Sequence, residues 1–225
     1  MPVDRTKFEA VIFDLDGTLL DTLQDIADSA NFALRQLGFP LHSTEEYKYF
    51  IGDGIETAVR RILPESNRDA RTIARCLELN RVEYRRCWKI HTRPYAGITD
   101  MLSELQERKI PMAILSNKPH EFTCEIVAAI LGAFDFEVVL GARDGVAVKP
   151  DPATAIEIAH KMRIPPGQFL YVGDSGTDME TANAAGMYAV GVLWGFRAAD
   201  ELRRSGAKLL VAEPAEIIAL FDGCS

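Results

Sequence analysis

At 225 residues the chain has room for one large α/β domain or for a core that carries a smaller second module. A hydrophobic share of 48% supplies a real core, and the charged share of 26% is ordinary for a globular protein. The formal charge of −8, from 33 acids against 25 bases with no dense Lys/Arg run, argues against binding a nucleic acid backbone. It also means that an anion site here needs local positive groups of its own.

Cys76, Cys87, Cys124 and Cys224 have no C-x-x-C spacing, and His42, His91, His120 and His160 form no zinc-like cluster. Asp4 and Glu9 fall within the first ten residues without an apolar signal core, and no run approaches a membrane span. The expectation is a cytoplasmic protein with neither a nucleic acid nor a membrane as partner.

Val11, Ile12 and Phe13 are consecutive apolar residues, two of them β-branched, and read as the end of a buried strand. Asp14 and Asp16 come next, two positions apart, a period that points both carboxylates to one side. Gly17 lets the chain turn away and Thr18 adds a hydroxyl near the turn. Paired acids at the mouth of a sheet are costly unless a divalent cation compensates them, although a plain polar turn has the same short pattern.

Residues 21–37 are expected to be helical, with Ile26, Ala30, Ala33, Leu34 and Leu37 on one face and Gly38 and Pro40 ending it. Ile51-Gly52-Asp53-Gly54 opens a second helix, whose apolar face is Ile55, Ala58, Val59, Ile62 and Leu63, and Pro64 stops it. A third pattern runs over 66–91 with Ile73, Leu77, Tyr84 and Trp88 on one side. No strand is expected between residues 20 and 92, so an all-helical block succeeds the first strand directly.

From Pro94 the texture alternates. A helix after Gly97 carries Ile98, Met101, Leu102 and Leu105, and a strand over 110–115 ends in Ser116-Asn117-Lys118-Pro119. Next come helix 120–131, strand 136–140, the loop of Lys149-Pro150-Asp151-Pro152 and a helix to 162. Strand 169–172 ends in Gly173-Asp174-Ser175-Gly176-Thr177-Asp178, and a helix runs to 185. Strands over 188–193 and 208–211, with helices near 198–204 and 213–221, complete the chain. This alternation predicts a doubly wound parallel sheet with right-handed crossovers, and such sheets bind ligands beyond the carboxyl ends of their strands.

These polar groups all sit at strand ends. Asp174 and Asp178 beside Asp14 and Asp16 concentrate negative charge that calls for a cation, and an all-oxygen donor set suits magnesium better than zinc. Taken alone, Asp178 also reads as an acid complementing a helix N-terminus. Ser116 is placed to hold phosphate oxygens or simply to cap a turn. Lys149, stiffened behind by Pro-Asp-Pro, reads as a charge balancer if it faces the acids and as a solvated lysine otherwise.

Asp14-Leu15-Asp16-Gly17-Thr18, Ser116, Lys149 and Gly173-Asp174 through Asp178, in this order, resemble the successive motifs of the haloacid dehalogenase superfamily of aspartate-nucleophile phosphatases. The resemblance implies a Rossmann-like core of residues 1–20 and 93–225 with an inserted helical cap domain over 21–92. Within the superfamily, Ile51-Gly52-Asp53-Gly54 and Ser116-Asn117-Lys118-Pro119 are similar to phosphoglycolate phosphatases. The activity implied is magnesium-dependent hydrolysis of a small phosphorylated metabolite, 2-phosphoglycolate being the expected one. Asp14 is the implied nucleophile and Asp16 the acid and base, with Ser116, Asn117 and Lys149 on the phosphoryl group. Magnesium is implied to lie on Asp14, Asp174, Asp178 and the backbone carbonyl of Asp16. Thr18 and residues Gly52, Asp53 and Gly54 are implied to meet the substrate, and Lys118 or a cap arginine such as Arg60 its second anionic end. A phosphosugar mutase or a pyrophosphatase would keep the same motifs. A phosphorylated receiver-type signalling module is disfavoured, because Asp16 serves turnover. The expected assembly is a monomer or homodimer, and Trp194 is expected only to pack.

Overall fold

Strand β1 (Ala10–Phe13) is buried along its whole length because both faces of its sheet are covered. In the computed structural model, which describes residues 8–222, Ala10 and Ile12 join Phe169, Tyr171 and Ile158 on one face. Val11 and Phe13 join Leu170, Val172 and Met101 on the other. Asp4 and Cys224 lie outside the described residues. The unbroken apolar run at 11–13 is thus the signature of a central strand that feeds two half-cores.

After β1 come β2 (Leu20–Asp21), α1 (Leu23–Leu37), α2 (Thr44–Phe50), α3 (Ile55–Ile62), α4 (Ala70–Cys87) and β3 (Arg93–Pro94). Then α5 (Ile98–Glu107), β4 (Met112–Pro119), α6 (His120–Ile130), β5 (Phe136–Ala142) and α7 (Ala153–Met162) alternate. The chain ends with β6 (Phe169–Gly173), α8 (Gly176–Ala184), β7 (Tyr188–Val192), α9 (Ala199–Arg204), β8 (Leu209–Val211) and α10 (Ala215–Ala219). The main sheet has the order β5-β4-β1-β6-β7-β8, and its neighbours pair in parallel. Winding reverses on either side of β1, so the carboxyl ends of β4, β1 and β6 share one crevice. The doubly wound parallel sheet read from the alternation is the fold that forms.

Helices α1 to α4 share a third apolar cluster that includes Leu23, Ala27, Leu34, Tyr47, Val59 and Ile73. Helix α2 is not evident from apolar periodicity. A capping box starts it, with Ser43 donating from its backbone N–H (2.8 Å) and its hydroxyl (2.7 Å) to the Glu46 carboxylate, and Tyr47 is its buried anchor. The Ser-x-x-Glu spacing is the signal that the sequence holds for it.

Residues 20 and 21, where no strand was expected, pair antiparallel with Pro94 and Arg93. The helix expected over 66–91 forms from Ala70 to Cys87, because Asp69 caps it by accepting the N–H groups of Arg71 (3.0 Å) and Thr72 (3.1 Å). Ser116 to Pro119 do not end a strand but continue β4, with an irregular register against β5 between Leu115 and Pro119.

Buried Asp25 of α1 fastens the return to the sheet. It accepts the N–H groups of His91 (3.0 Å) and Thr92 (2.8 Å) and the Thr92 hydroxyl (2.8 Å). Burial pushes the Cys76 thiol up to about 11, which keeps it protonated and unreactive near neutral pH. Among the described residues no helix is long and apolar enough to cross a membrane.

Candidate active site

Asp14 leaves β1 where the strand ends, its backbone N–H donating to Val172 O at 2.9 Å. Asp174 leaves β6 next door, and Asp178 lies in the first turn of α8. All three acids are buried, and each offers a carboxylate oxygen within 4.8 Å of the others. Lys149 Nζ lies 2.9 Å from Asp14 Oδ1 and 2.6 Å from Asp178 Oδ1, and also donates to Leu115 O at 3.2 Å. The other oxygen of Asp178 accepts the N–H (3.1 Å) and hydroxyl (2.5 Å) of Ser175. Asp178 is therefore both a helix-cap acid and a member of the charged cluster.

Three carboxylates against one ammonium leave a negative balance in a dry place. Burial and the neighbouring Asp178 push Asp14 up to about 7, against the pull of Lys149. Burial, then Asp178 and Asp14, hold Asp174 well above the usual carboxylate range. Burial works against the charge on Lys149, but Asp14 and Asp178 outweigh it and hold the ammonium well above its ordinary value. A divalent cation on these oxygens would offset the repulsion, and the all-carboxylate donor set fits magnesium.

Asp16 faces a different partner. Its Oδ2 takes Lys118 Nζ at 2.7 Å, and its buried Oδ1 has no hydrogen bond among the described residues. The two aspartates expected on one side thus end on two lysines, Asp14 on Lys149 and Asp16 on Lys118, and Gly17 (φ +82°) turns the chain away just after them. A Cβ at Gly17 would lie 2.3 Å from Asp174 Oδ2, so the position admits no side chain. Thr18 donates to Asp174 Oδ1 at 3.3 Å and thereby braces an acid. Ser116 Oγ is buried beside them and accepts the Lys118 N–H at 3.2 Å. Asn117 ties its side-chain oxygen to Lys149 N (2.9 Å) and its amide to Lys149 O and Gly52 O (3.0 Å each). That amide aims the lysine loop, a role that residue spacing does not disclose.

The haloacid dehalogenase-like hydrolase family profile matches residues 11–192 of the chain. The chain belongs to this family. The phosphoglycolate phosphatase of Pseudomonas putida is 30% identical over 220 residues, covering 96% of this chain and 79% of that protein. The phosphoglycolate phosphatase of Nitrosospira multiformis is 33% identical over 191 residues, covering 84% of each. Among solved structures, a Lactobacillus delbrueckii protein put forward as a phosphoglycolate phosphatase superposes with a TM-score of 0.90 at 30% identity. That match covers 97% of this chain and 100% of the other.

In this haloacid dehalogenase-like hydrolase Asp14, Asp16 and Asp174 open into a cavity of about 860 Å³ between the strand ends and the helical block, with Asp178 buried behind them. Ile26, Ile55, Leu77, Asn80, Tyr84 and Phe122 are among its walls. Gly52 and Gly54 line it too, but Asp53 turns aside. Its carboxylate accepts the Thr177 hydroxyl at 2.6 Å and pairs with Arg61 at 2.5 Å, which fastens the helical block to α8. Arg60 pairs with Glu56 on an exposed surface and does not line the cavity. Lys118 does line it, with its ammonium 4.9 Å from the centroid of the Tyr84 ring.

Phe196 and Arg197 are site residues that no motif in the sequence marks. Phe196 N donates to Asp174 Oδ2 at 2.7 Å, and Arg197 donates to the carbonyls of Ile51 (2.9 Å) and Lys48. One short loop after β7 therefore touches both an acid of the cluster and the helical block. Trp194, expected only to pack, also donates from its indole to Thr18 O at 2.9 Å. The signal is positional: Gly195 comes just after a strand of the sheet, at its ligand-binding end.

Proposed function

We propose that this hydrolase is a magnesium-dependent phosphatase that cleaves a small phosphomonoester through an aspartyl-phosphate on Asp14, with 2-phosphoglycolate as substrate. The observation that carries the reading is the buried Asp14, Asp174 and Asp178 cluster held on Lys149. The similarity to phosphoglycolate phosphatases over most of the chain supports the substrate.

Asp14 attacks phosphorus as the ester P–O bond breaks, and Asp16 gives a proton to the departing alcohol oxygen. Asp16 then takes a proton from the water that attacks phosphorus, which releases phosphate and restores the Asp14 carboxylate. The partnerless Oδ1 of Asp16 supports this assignment, since that oxygen is committed to nothing else among the described residues. Ser116 Oγ and the N–H of Asn117 hold phosphoryl oxygens, and Lys149 offsets their charge. Bound magnesium, held by Asp14, Asp174, Asp178 and the Asp16 carbonyl, supplies charge neutralisation at the phosphoryl group. Residues 21–92 act as a cap that closes over the core and shields the reaction from water. The partner is a small phosphorylated metabolite, with neither nucleic acid nor membrane involved, and the protein works as a monomer or homodimer.

The test is phosphate release from 2-phosphoglycolate, sugar phosphates, pyrophosphate and nucleotides, with magnesium and with a chelator. Preferential, chelator-sensitive turnover of 2-phosphoglycolate is the expected result. Silence across the panel overturns the phosphatase reading. A second measurement addresses the metal without turnover. Magnesium at a hundred times its dissociation constant should stabilise the fold by about 2.7 kcal/mol, read as a raised unfolding midpoint. Asp174→Asn should lose most of that rise; an equal rise in the variant would remove Asp174 from the metal site.

A further inference from the structure

Each residue of the loop 194–197 after β7 is spent either on the acid site or on the helical block. Trp194 donates to the Thr18 carbonyl, and the Phe196 N–H holds Asp174 Oδ2 at 2.7 Å. Gly195 lies so close to the site that a Cβ there would collide with the Asp174 side chain and the Gly17 carbonyl. Arg197, the next residue, reaches the other way.

Its guanidinium is committed at all three nitrogens. The two terminal nitrogens donate to Lys48 O and to Ile51 O (2.9 Å), and Nε pairs with Glu201 Oε1 at 3.2 Å. Lys48 lies in the last turn of α2 and Ile51 caps that helix. Both carbonyls thus belong to a helix end that runs out of intrahelical donors and carries partial negative charge. A cation from the sheet domain completes a helix of the inserted block. The Arg197 side chain is only 9% exposed, so water is a poor substitute for it. Glu201 Oε1 also accepts the Gly176 N–H at 3.4 Å, at the start of the helix that carries Asp178.

These contacts bypass the three acids, so Arg197 acts on Asp174 through its neighbour Phe196. One residue of backbone separates the two grips, and planar peptides leave little slack over that distance. Releasing Lys48 O and Ile51 O frees the backbone that aims Asp174, and turning Asp174 away loosens the seat of α2.

We infer that Arg197 is a positioning residue that makes the seating of the cap and the alignment of Asp174 for the metal a single event. This rests on the metal-dependent reading of the site and adds to it the link between core and cap. Such coupling is reciprocal: a cap seated on Arg197 favours magnesium, and magnesium favours the seated cap by the same factor.

The experiment obtains the magnesium dissociation constant of the substrate-free protein from the rise of its unfolding midpoint across a magnesium titration. It also follows amide exchange over residues 48–54 with and without the ion. Arg197→Gln removes the charge and the fork. Asp53→Ala cuts a different tie between the block and the core, the one to Thr177, and is the control. Arg197→Gln should weaken magnesium binding about tenfold, the scale of outer-shell support and of coupling between sites, while Asp53→Ala stays within about twofold of wild type. Magnesium should slow exchange over 48–54 in wild type and not in Arg197→Gln, a difference that loss of a merely structural contact would not produce. Should Arg197→Gln fail to fold, Arg197→Lys, which keeps the charge but not the fork, takes its place. Magnesium binding within about twofold of wild type in the Arg197 variant overturns the inference, as does equal weakening in Asp53→Ala. Exchange over 48–54 that ignores magnesium in wild type overturns it too. Wild-type protein that binds no magnesium overturns the metal reading and the inference with it.

Discussion

Asp14→Asn should abolish phosphate release while leaving a folded protein. The amide is nearly the shape of the carboxylate, so the packing at the end of β1 is kept, but it cannot form the phosphorylated intermediate. Loss of a nucleophile that acts as one unit with its acid and electrostatic partners costs on the order of 10⁴-fold or more in kcat. Stability should not suffer in proportion. Burial and Asp178 already push Asp14 up to about 7, so the charge removed is one that the folded state bears at a cost. The checks are phosphate release at saturating substrate and an unfolding curve on the same preparation. Turnover within tenfold of wild type would remove Asp14 as nucleophile.

Lys149→Met should do the opposite to the fold. The methionine matches the lysine stem in length, but it withdraws the ammonium that touches both Asp14 and Asp178. Side chains of Asp178 and Lys149 are 0% and 2% exposed, so water cannot take over the solvation. Breaking a buried pair from one side typically costs about 3–5 kcal/mol, and denaturant unfolding should show a loss of that size. Activity should vanish too, since the phosphoryl oxygens lose a counter-charge. Adding Asp178→Asn should recover part of the stability and none of the activity, the expected coupling between residues in one charged network. A single variant as stable as wild type would mean that the acids are not ionised against Lys149.

Much of the sheet is legible because its strands are built on short apolar runs, such as 11–13 and 169–172, that give way to turn or acidic residues. Val11, Ile12 and Phe13 announce a strand covered on both faces, and Asp14, Lys149 and Asp174 fall at strand ends or in the loops beside them, whereas Ser116 lies inside β4. The pairings made through space are not legible. Lys118 lies 102 positions from Asp16, and nothing in either neighbourhood says that one will hold the other. Asn117 binds residues on two distant segments through a side chain whose type alone suggests a turn. Asp53 sits in a loop with the glycines of a ligand contact, yet the Thr177 hydroxyl and Arg61 together outcompete any outward role. Helix α2 has only a few residues and no long periodicity, so its capping box, not its apolar face, is the signal that marks it.

The antiparallel pairing of Leu20 with Pro94 and Asp21 with Arg93 has a bearing on descent. The chain departs from the sheet and rejoins it at touching points, so the covalent connection to everything between passes through one narrow stalk. Bringing those points together with a tight turn would cost little loop entropy and would leave the strand order untouched. An appendage attached in this way can be lengthened, shortened or replaced over generations while the acids at the strand ends are inherited unaltered. One reaction can then be handed to many different substrates by redrawing only what grows from the stalk.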